Sequence, residues 1–254
     1  QLHMIKKAIA LVIPCLLSVG LMEAQTLGIQ HLSTYESGIF ATGGSEIVAF
    51  DPMSQRAFST NGALNQIDIL NLANVNAPTL ISSINLNSYG GIVNSVAVYN
   101  GIVAAAVQAN VKTDNGSVIF FDTQGNYINQ VTVGALPDML AFSPNGNYLV
   151  TANEGEPNDA YTIDPLGTVS IIDMTPGAAS LSNANVTTLD FSGFNGQSIP
   201  GLRVFGPNAT LAQDVEPEYV AFNSASDKVF VILQENNAVA TIDLSTSTVT
   251  SLKG

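Results

Sequence analysis

An all-β fold, a β-propeller of four-stranded blades, is what this sequence predicts, and three observations predict it. First, an apolar strand recurs four times, as Ile47-Val48-Ala49-Phe50, Val96-Ala97-Val98, Leu140-Ala141-Phe142 and Val220-Ala221-Phe222. A later strand in each copy ends on an amide or acid, at Asn71, Asp122, Asp173 and Asp243. Second, the repeated alanines, at positions 49, 97, 141 and 221, recur at about 45 residues except across one long interval, and that period marks stacked sheet units. A single four-stranded sheet cannot bury both faces, so such units stack around an axis. Third, the chain of 254 residues is 46% hydrophobic and only 11% charged, with 21 glycines, a composition that suits a turn-rich all-β protein.

The elements follow in order. Residues 1–25 read as a secretory signal: Lys6-Lys7 after Met4, an apolar core from Ala8 to Leu21, and cleavage after Ala24. Gln1-Leu2-His3 stand upstream of that start as a remnant. The propeller domain is expected over 26–254. It opens with an irregular lead-in carrying one strand, Gly28 to Leu32. Blade one spans about Glu46 to Leu86 and blade two Asn94 to Val133, the latter with a tight Asn100-Gly101 turn. Blade three spans Asp138 to Phe191, turning at Ser143-Pro144-Asn145-Gly146, and blade four Glu218 to Leu252. Two insertions fill the long interval, Asn153 to Gly167 inside blade three and Ser192 to Pro217 between blades three and four. Four blades are few for a closed ring, so the sequence is expected to be the N-terminal part of a larger propeller with one blade face left uncovered.

The net charge is −13. That excludes nucleic acid and anionic membrane surfaces as partners, because no basic patch exists to displace their counterions. Cations, or basic groups on a partner, fit instead. Cys15 is the only cysteine and lies in the signal, which excludes disulfides, thiolate zinc sites and a cysteine nucleophile from the exported chain. No membrane span remains once the signal is removed.

Register locates the candidate site. Three residues before each repeated alanine stand Glu46, Asn94, Asp138 and Glu218; at the far end of the second strand stand Asn61, Asn110, Glu154 and Glu235. Antiparallel first and second strands bring both sets to one end of the channel, where the two insertions also begin. The first insertion carries Glu154, Glu156, Asn158, Asp159 and Asp164, and the approach to blade four carries Asp214, Glu216 and Glu218. One reading is that these groups only cap strand ends and turns. The other is a Ca²⁺ site, since that cation takes six to eight oxygen ligands, with Glu154, Glu156, Asp159, Asp164, Asp214, Glu216 and Glu218 as ligands. Glu46, Asn94, Asp138, Glu235 and Arg203 complete a channel-mouth binding surface, with Arg203 facing an anionic group or an acidic neighbour. Asp122, Asp173 and Asp243 read as turn residues at the opposite end. A Ser-His-Asp triad or histidine metal centre has no support, His31 being the only histidine beyond the signal, and no phosphate-binding glycine loop occurs.

The segments Pro137-Asp138, Ala152-Asn153-Glu154-Gly155-Glu156-Pro157-Asn158-Asp159, Gly167 to Asp173, Phe205 to Thr210 and Gln213 to Val220 resemble those of the choice-of-anchor I family of secreted bacterial proteins, related to mesenchyme-specific cell-surface glycoproteins. The resemblance implies a seven-bladed YVTN/WD40-like propeller, exported and often surface-attached, in chains about twice this length. Three functions stand open on this reading. The first is a secreted, periplasmic or surface binding or adhesion module for an extracellular protein, glycan or phosphate-containing ligand, with a Ca²⁺-loaded acidic mouth. The second is a metal-dependent phosphoesterase of the alkaline phosphatase or phytase kind, against which stands the scarcity of basic residues: Arg56, Lys112, Arg203, Lys228 and Lys253. The third is a structural envelope or matrix protein.

Overall fold

The structure, a computed structural model, describes residues 28–254. The signal assigned to residues 1–25 lies outside the described residues. Contacts divide the chain into a unit ending at Leu32 and a second unit, Ser33–Gly254. In the first, residues 28–32 form no strand, contrary to expectation. The apolar side chains that were to drive that strand find no cover, Ile29 being 95% exposed.

The second unit contains four antiparallel four-stranded sheets, each a simple meander. The first comprises β1 (Val48–Asp51), β2 (Arg56–Asn61), β3 (Gln66–Asn71) and β4 (Thr79–Asn85). The second comprises β5 (Val93–Tyr99), β6 (Ile102–Val107), β7 (Asn115–Asp122) and β8 (Tyr127–Ala135). The third comprises β9 (Pro137–Phe142), β10 (Tyr148–Asn153), β11 (Thr168–Asp173) and β12 (Val186–Asp190). The fourth comprises β13 (Pro217–Phe222), β14 (Lys228–Leu233), β15 (Ala238–Asp243) and β16 (Thr248–Lys253). These are the four expected blades. The less apolar β2, whose Arg56 and Ser59 break the apolar run of its counterparts, pairs with β1 like the other second strands.

Stacking explains the apolar composition of the inner strands. In β6, Val103, Ala105 and Val107 pack against Phe58, Ile67 and Ile69 of the first sheet. The alternate residues Ala104 and Ala106 pack against Leu140, Leu149 and Ile172 of the third. Alternation along a strand sends neighbours to opposite faces, so a strand buried on both faces must be apolar throughout. The fourth sheet packs Val220, Val229, Val231 and Leu233 against Val150, Ala152, Val169 and Ile171 of the third. Its other face, with Tyr219, Phe230, Ile232 and Val239, is exposed.

The innermost strands β1, β5, β9 and β13 touch in succession. Turns at the opposite end of the sheets are closed by carboxylates, as expected. Asp122 accepts from the backbone N–H of Gln124 and Asn126, Asp173 from Thr175, and Asp243 from Ser245 and Thr246. The hydrogen bonds hold Asp243 below the usual carboxylate range.

Candidate functional site

The mouth is built by a repeated irregularity. In the second sheet Val93 pairs with Val107 and Ser95 with Ala106, leaving Asn94 unpaired. In the third, Pro137 pairs with Asn153 and Met139 with Ala152, leaving Asp138 unpaired. In the fourth, Pro217 pairs with Leu233 and Tyr219 with Ile232, leaving Glu218 unpaired. A bulge adds one residue to a strand and re-aims its side chain. Three of the four register residues are thus the bulged residue of an innermost strand. The fourth, Glu46, precedes β1 and is exposed.

Asn94 and the acids differ in what they do with this position. Asn94 donates through Nδ2 to the Pro137 carbonyl at 2.9 Å and so ties the second blade to the third. The carboxylates of Asp138, Glu218, Glu154 and Glu216 accept no hydrogen bond among the described residues. Their charges instead repel. Glu154 is raised from the ordinary 4.5 to about 8, first by burial and then by Asp138, Glu156, Glu216 and Glu218. Glu216 is raised to about 7, by burial and then by Glu156, Glu235, Asp214 and Glu218. Burial, with Glu156 and Glu46, raises Asp138; burial, with Asp138 and Glu235, raises Glu218. Carboxylates from several elements are therefore near enough to oppose each other's ionisation.

The first insertion, residues 154–167, leaves β10 with its backbone anchored. The N–H of Glu154 donates to Leu136 O at 2.9 Å and that of Gly155 to Ala135 O at 3.2 Å. Leu136 holds a positive φ of 51° in doing so, a conformation uncommon for a bulky residue. Asn158 folds the tip, its Oδ1 accepting from the N–H of Thr162 at 2.9 Å. The insertion ends at Gly167, whose N–H donates to Ala212 O at 2.9 Å. A β-carbon at Gly167 would collide with the Val215 carbonyl, so only glycine permits this approach.

The second insertion contains one short α-helix, α1 (Leu211–Asp214), capped by Thr210 through its side chain. Asp214 is buried, 7% exposed, and its carboxylate accepts from the N–H of Phe205 and Gly206 and from Asn236 Nδ2. It clamps the loop rather than facing open solvent. Asn236, fully buried, also donates to Arg203 O at 3.0 Å and accepts from Glu216 N–H at 3.2 Å. Sequence reasoning missed this hub, because an amide beside Glu235 in a turn carries no signal that its neighbours will enclose it.

Between the insertions lies a cavity of about 580 Å³ lined by Glu156, Asp159, Asp164, Glu216 and Glu235 among others. Lys112 enters it, with Nζ 2.9 Å from Glu156 Oε2, the only ion pair among the described residues. Asp164 Oδ1 is buried there with no hydrogen-bond partner among the described residues, and burial, with Asp214, raises its carboxyl above the ordinary range. Arg203 is exposed, outside the cavity lining, and pairs with no acid among the described residues. Its backbone, not its guanidinium, is what Asn236 binds. Asn110 is exposed three residues beyond β6, and Asn61 is buried with Nδ2 donating to Asp68 at 3.1 Å. Among the described residues no three acidic or histidine side chains converge tightly enough to hold one metal ion as they stand. No described helix is long and apolar enough to cross a membrane.

Comparison with known proteins bears on the architecture. Residues 46–254 match the family model described as "Choice-of-anchor I domain". No curated protein matches the sequence. Among solved structures, a chain from "Crystal structure of Nidogen/Laminin Complex" superposes with a TM-score of 0.52 at 13% identity, over 84% of this chain and 65% of that one. The present chain therefore spans less than two thirds of that neighbour, and the likeness supports the propeller fold.

Proposed function

The chain belongs to the choice-of-anchor I domain family, and from that membership and the geometry of its mouth we propose a secreted or cell-surface binding module whose acidic mouth takes a cation, with Ca²⁺ the cation to test. Family membership supports the extracellular place. A single contrast carries the site. The carboxylates of Asp122, Asp173, Asp243 and Asp214 all accept hydrogen bonds from backbone N–H groups, as capping residues do. Those of Asp138, Glu154, Glu216 and Glu218 accept none and are raised by burial and then by neighbouring carboxylates. Capping accounts for the first set and leaves the second unexplained.

A cation at the mouth offsets that repulsion, and drawing two or three of these side chains inward would complete an oxygen shell around Ca²⁺. The test is thermal unfolding of the protein in EDTA and in millimolar CaCl₂. A saturable upward shift in melting temperature, lost in Glu154→Gln/Glu218→Gln, is the expected result. Identical melting with and without Ca²⁺ overturns the cation reading. Phosphomonoester hydrolysis assayed on the same sample, abolished by the same substitutions, would replace the binding module with a phosphoesterase.

A further inference from the structure

The cavity between the insertions adjoins the mouth and shares Glu216 and Glu235 with it, but most of its lining is separate. Asp138, Glu154 and Glu218 lie outside its lining. Its walls include Tyr161 from the first insertion and Phe205 from the second. Both rings are 60% exposed, and beside them Ile163 and Val204 are 55% and 45% exposed. Large apolar side chains offered to solvent from two loops around one cavity are unusual in a surface that interacts with nothing. Aromatic anchors around a charged socket are the usual anatomy of a protein contact.

The chemistry of the socket selects its occupant. At about 580 Å³ the cavity is far larger than a bare ion and accommodates a long side chain. Its acids outnumber its one base, Lys112, and the chain as a whole carries −13. Asp164 Oδ1 is a buried acceptor with no donor among the described residues. Lys112 shows what the socket accepts: an ammonium held by Glu156, its proton bound more tightly through that hydrogen bond and through the nearby charges of Asp159 and Glu154. Aromatic faces favour the same kind of guest, since a cation over a ring is attracted by its quadrupole.

We propose that the cavity between residues 154–167 and 192–216 is a docking surface for a partner protein segment that inserts a lysine or arginine side chain among Glu156, Asp159 and Asp164 and lays flanking apolar residues on Tyr161 and Phe205. Lys112 is then an internal competitor that occupies Glu156 until the partner arrives. The proposal rests on the reading of this end of the propeller as its binding end, and it assigns the class of partner.

The experiment uses the whole chain beyond the signal and isothermal titration calorimetry with a pentapeptide of one lysine flanked by two leucines on each side. Its ε-acetylated version serves as the uncharged control. Saturable binding of the lysine peptide is expected, with the acetylated peptide at least about tenfold weaker, the effect of losing one desolvated charge contact. Tyr161→Ala and Phe205→Ala should each weaken binding by about three- to tenfold. Because both rings are mostly exposed, unchanged melting curves check that these variants fold. Lys112→Met should tighten binding by freeing Glu156. Absence of saturable binding, equal binding of the acetylated peptide, or indifference to both aromatic substitutions overturns the proposal. A Ca²⁺-dependent melting shift without peptide binding would sink this inference alone. Peptide binding without any Ca²⁺ response would sink the cation reading of the mouth and leave the docking surface standing.

Discussion

Glu154→Gln should make this protein more stable at pH 8 and leave it nearly unchanged at pH 5. In the folded state Glu154 holds its proton up to about pH 8, whereas in the unfolded chain the carboxyl titrates near 4.5. Between those values the folded state binds more protons than the unfolded one, so stability falls as pH rises through that window. The cost is absent below about pH 4.5 and complete above about pH 8. At 1.36 kcal/mol per pH unit the full difference is about 5 kcal/mol. Glu154 is only partly shielded, and solvent screening reduces this to about 1–2 kcal/mol. Glutamine keeps the shape and removes the charge, so in EDTA at pH 8 the variant should gain about 1–2 kcal/mol, or roughly 2–6 °C in Tm for a domain of this size. Urea unfolding at pH 5 and pH 8 measures it. A variant that keeps the parent's full loss of stability between those pH values would refute the argument, as would one less stable than the parent at pH 8. Saturating Ca²⁺ should reverse the order, because the parent gains binding energy that the variant has lost.

Four further outcomes follow from the packing and the charges. Asp214→Ala should cost about 2–4 kcal/mol, since it strands the N–H groups of Phe205 and Gly206 and the Asn236 amide; urea unfolding reads the loss, and hydrogen exchange should show residues 203–206 unprotected first. Gly167→Ala should destabilise by at least about 2 kcal/mol through collision with the Val215 carbonyl, seen as a lower Tm with the peptide socket weakened in parallel. Asn94→Ala should cost about 1 kcal/mol by losing the bond to Pro137 O, whereas Asp138→Asn should stabilise above neutral pH, and paired melts at pH 8 separate the two roles at one register position.

The blades were legible because they rest on long-range burial that leaves a repeated apolar signature. Val103 to Val107 are apolar on both faces because sheets pack on both sides of β6. β2 was less visible, its apolar run broken by Arg56 and Ser59; Arg56 leaves the apolar pattern to donate to the Thr123 carbonyl at 2.6 Å. The stretch at Gly28–Leu32 had apolar residues without a neighbour to bury them, and residue type alone does not supply a neighbour. Register placed Asp138, Glu218 and Glu154 near one another, as the structure has them, since a period in sequence becomes a place in a ring. It assigned Asp214 to the same surface, although that carboxylate is turned inward to the Phe205–Gly206 backbone. Lys112 went unremarked as a site residue because it follows β6 by five positions and meets Glu156 only after both loops are folded.

One bulge repeated in three blades presents one unpaired residue per blade, and the side chain at that position decides between holding the ring and serving its mouth. Where it is Asn94, an amide satisfies itself on the next blade, and the position is spent on structure. Where it is Asp138 or Glu218, no donor answers, and each acid adds to the repulsion at Glu154. A structural role would select the amide in every blade, because an amide is satisfied there without a charge to desolvate. Acids there, raised by burial and by neighbouring carboxylates, should lower the stability of the isolated protein as pH rises. Under the proposed cation-binding mouth that cost has a use, so measurements at pH 8 with and without Ca²⁺ test the function as directly as the stability.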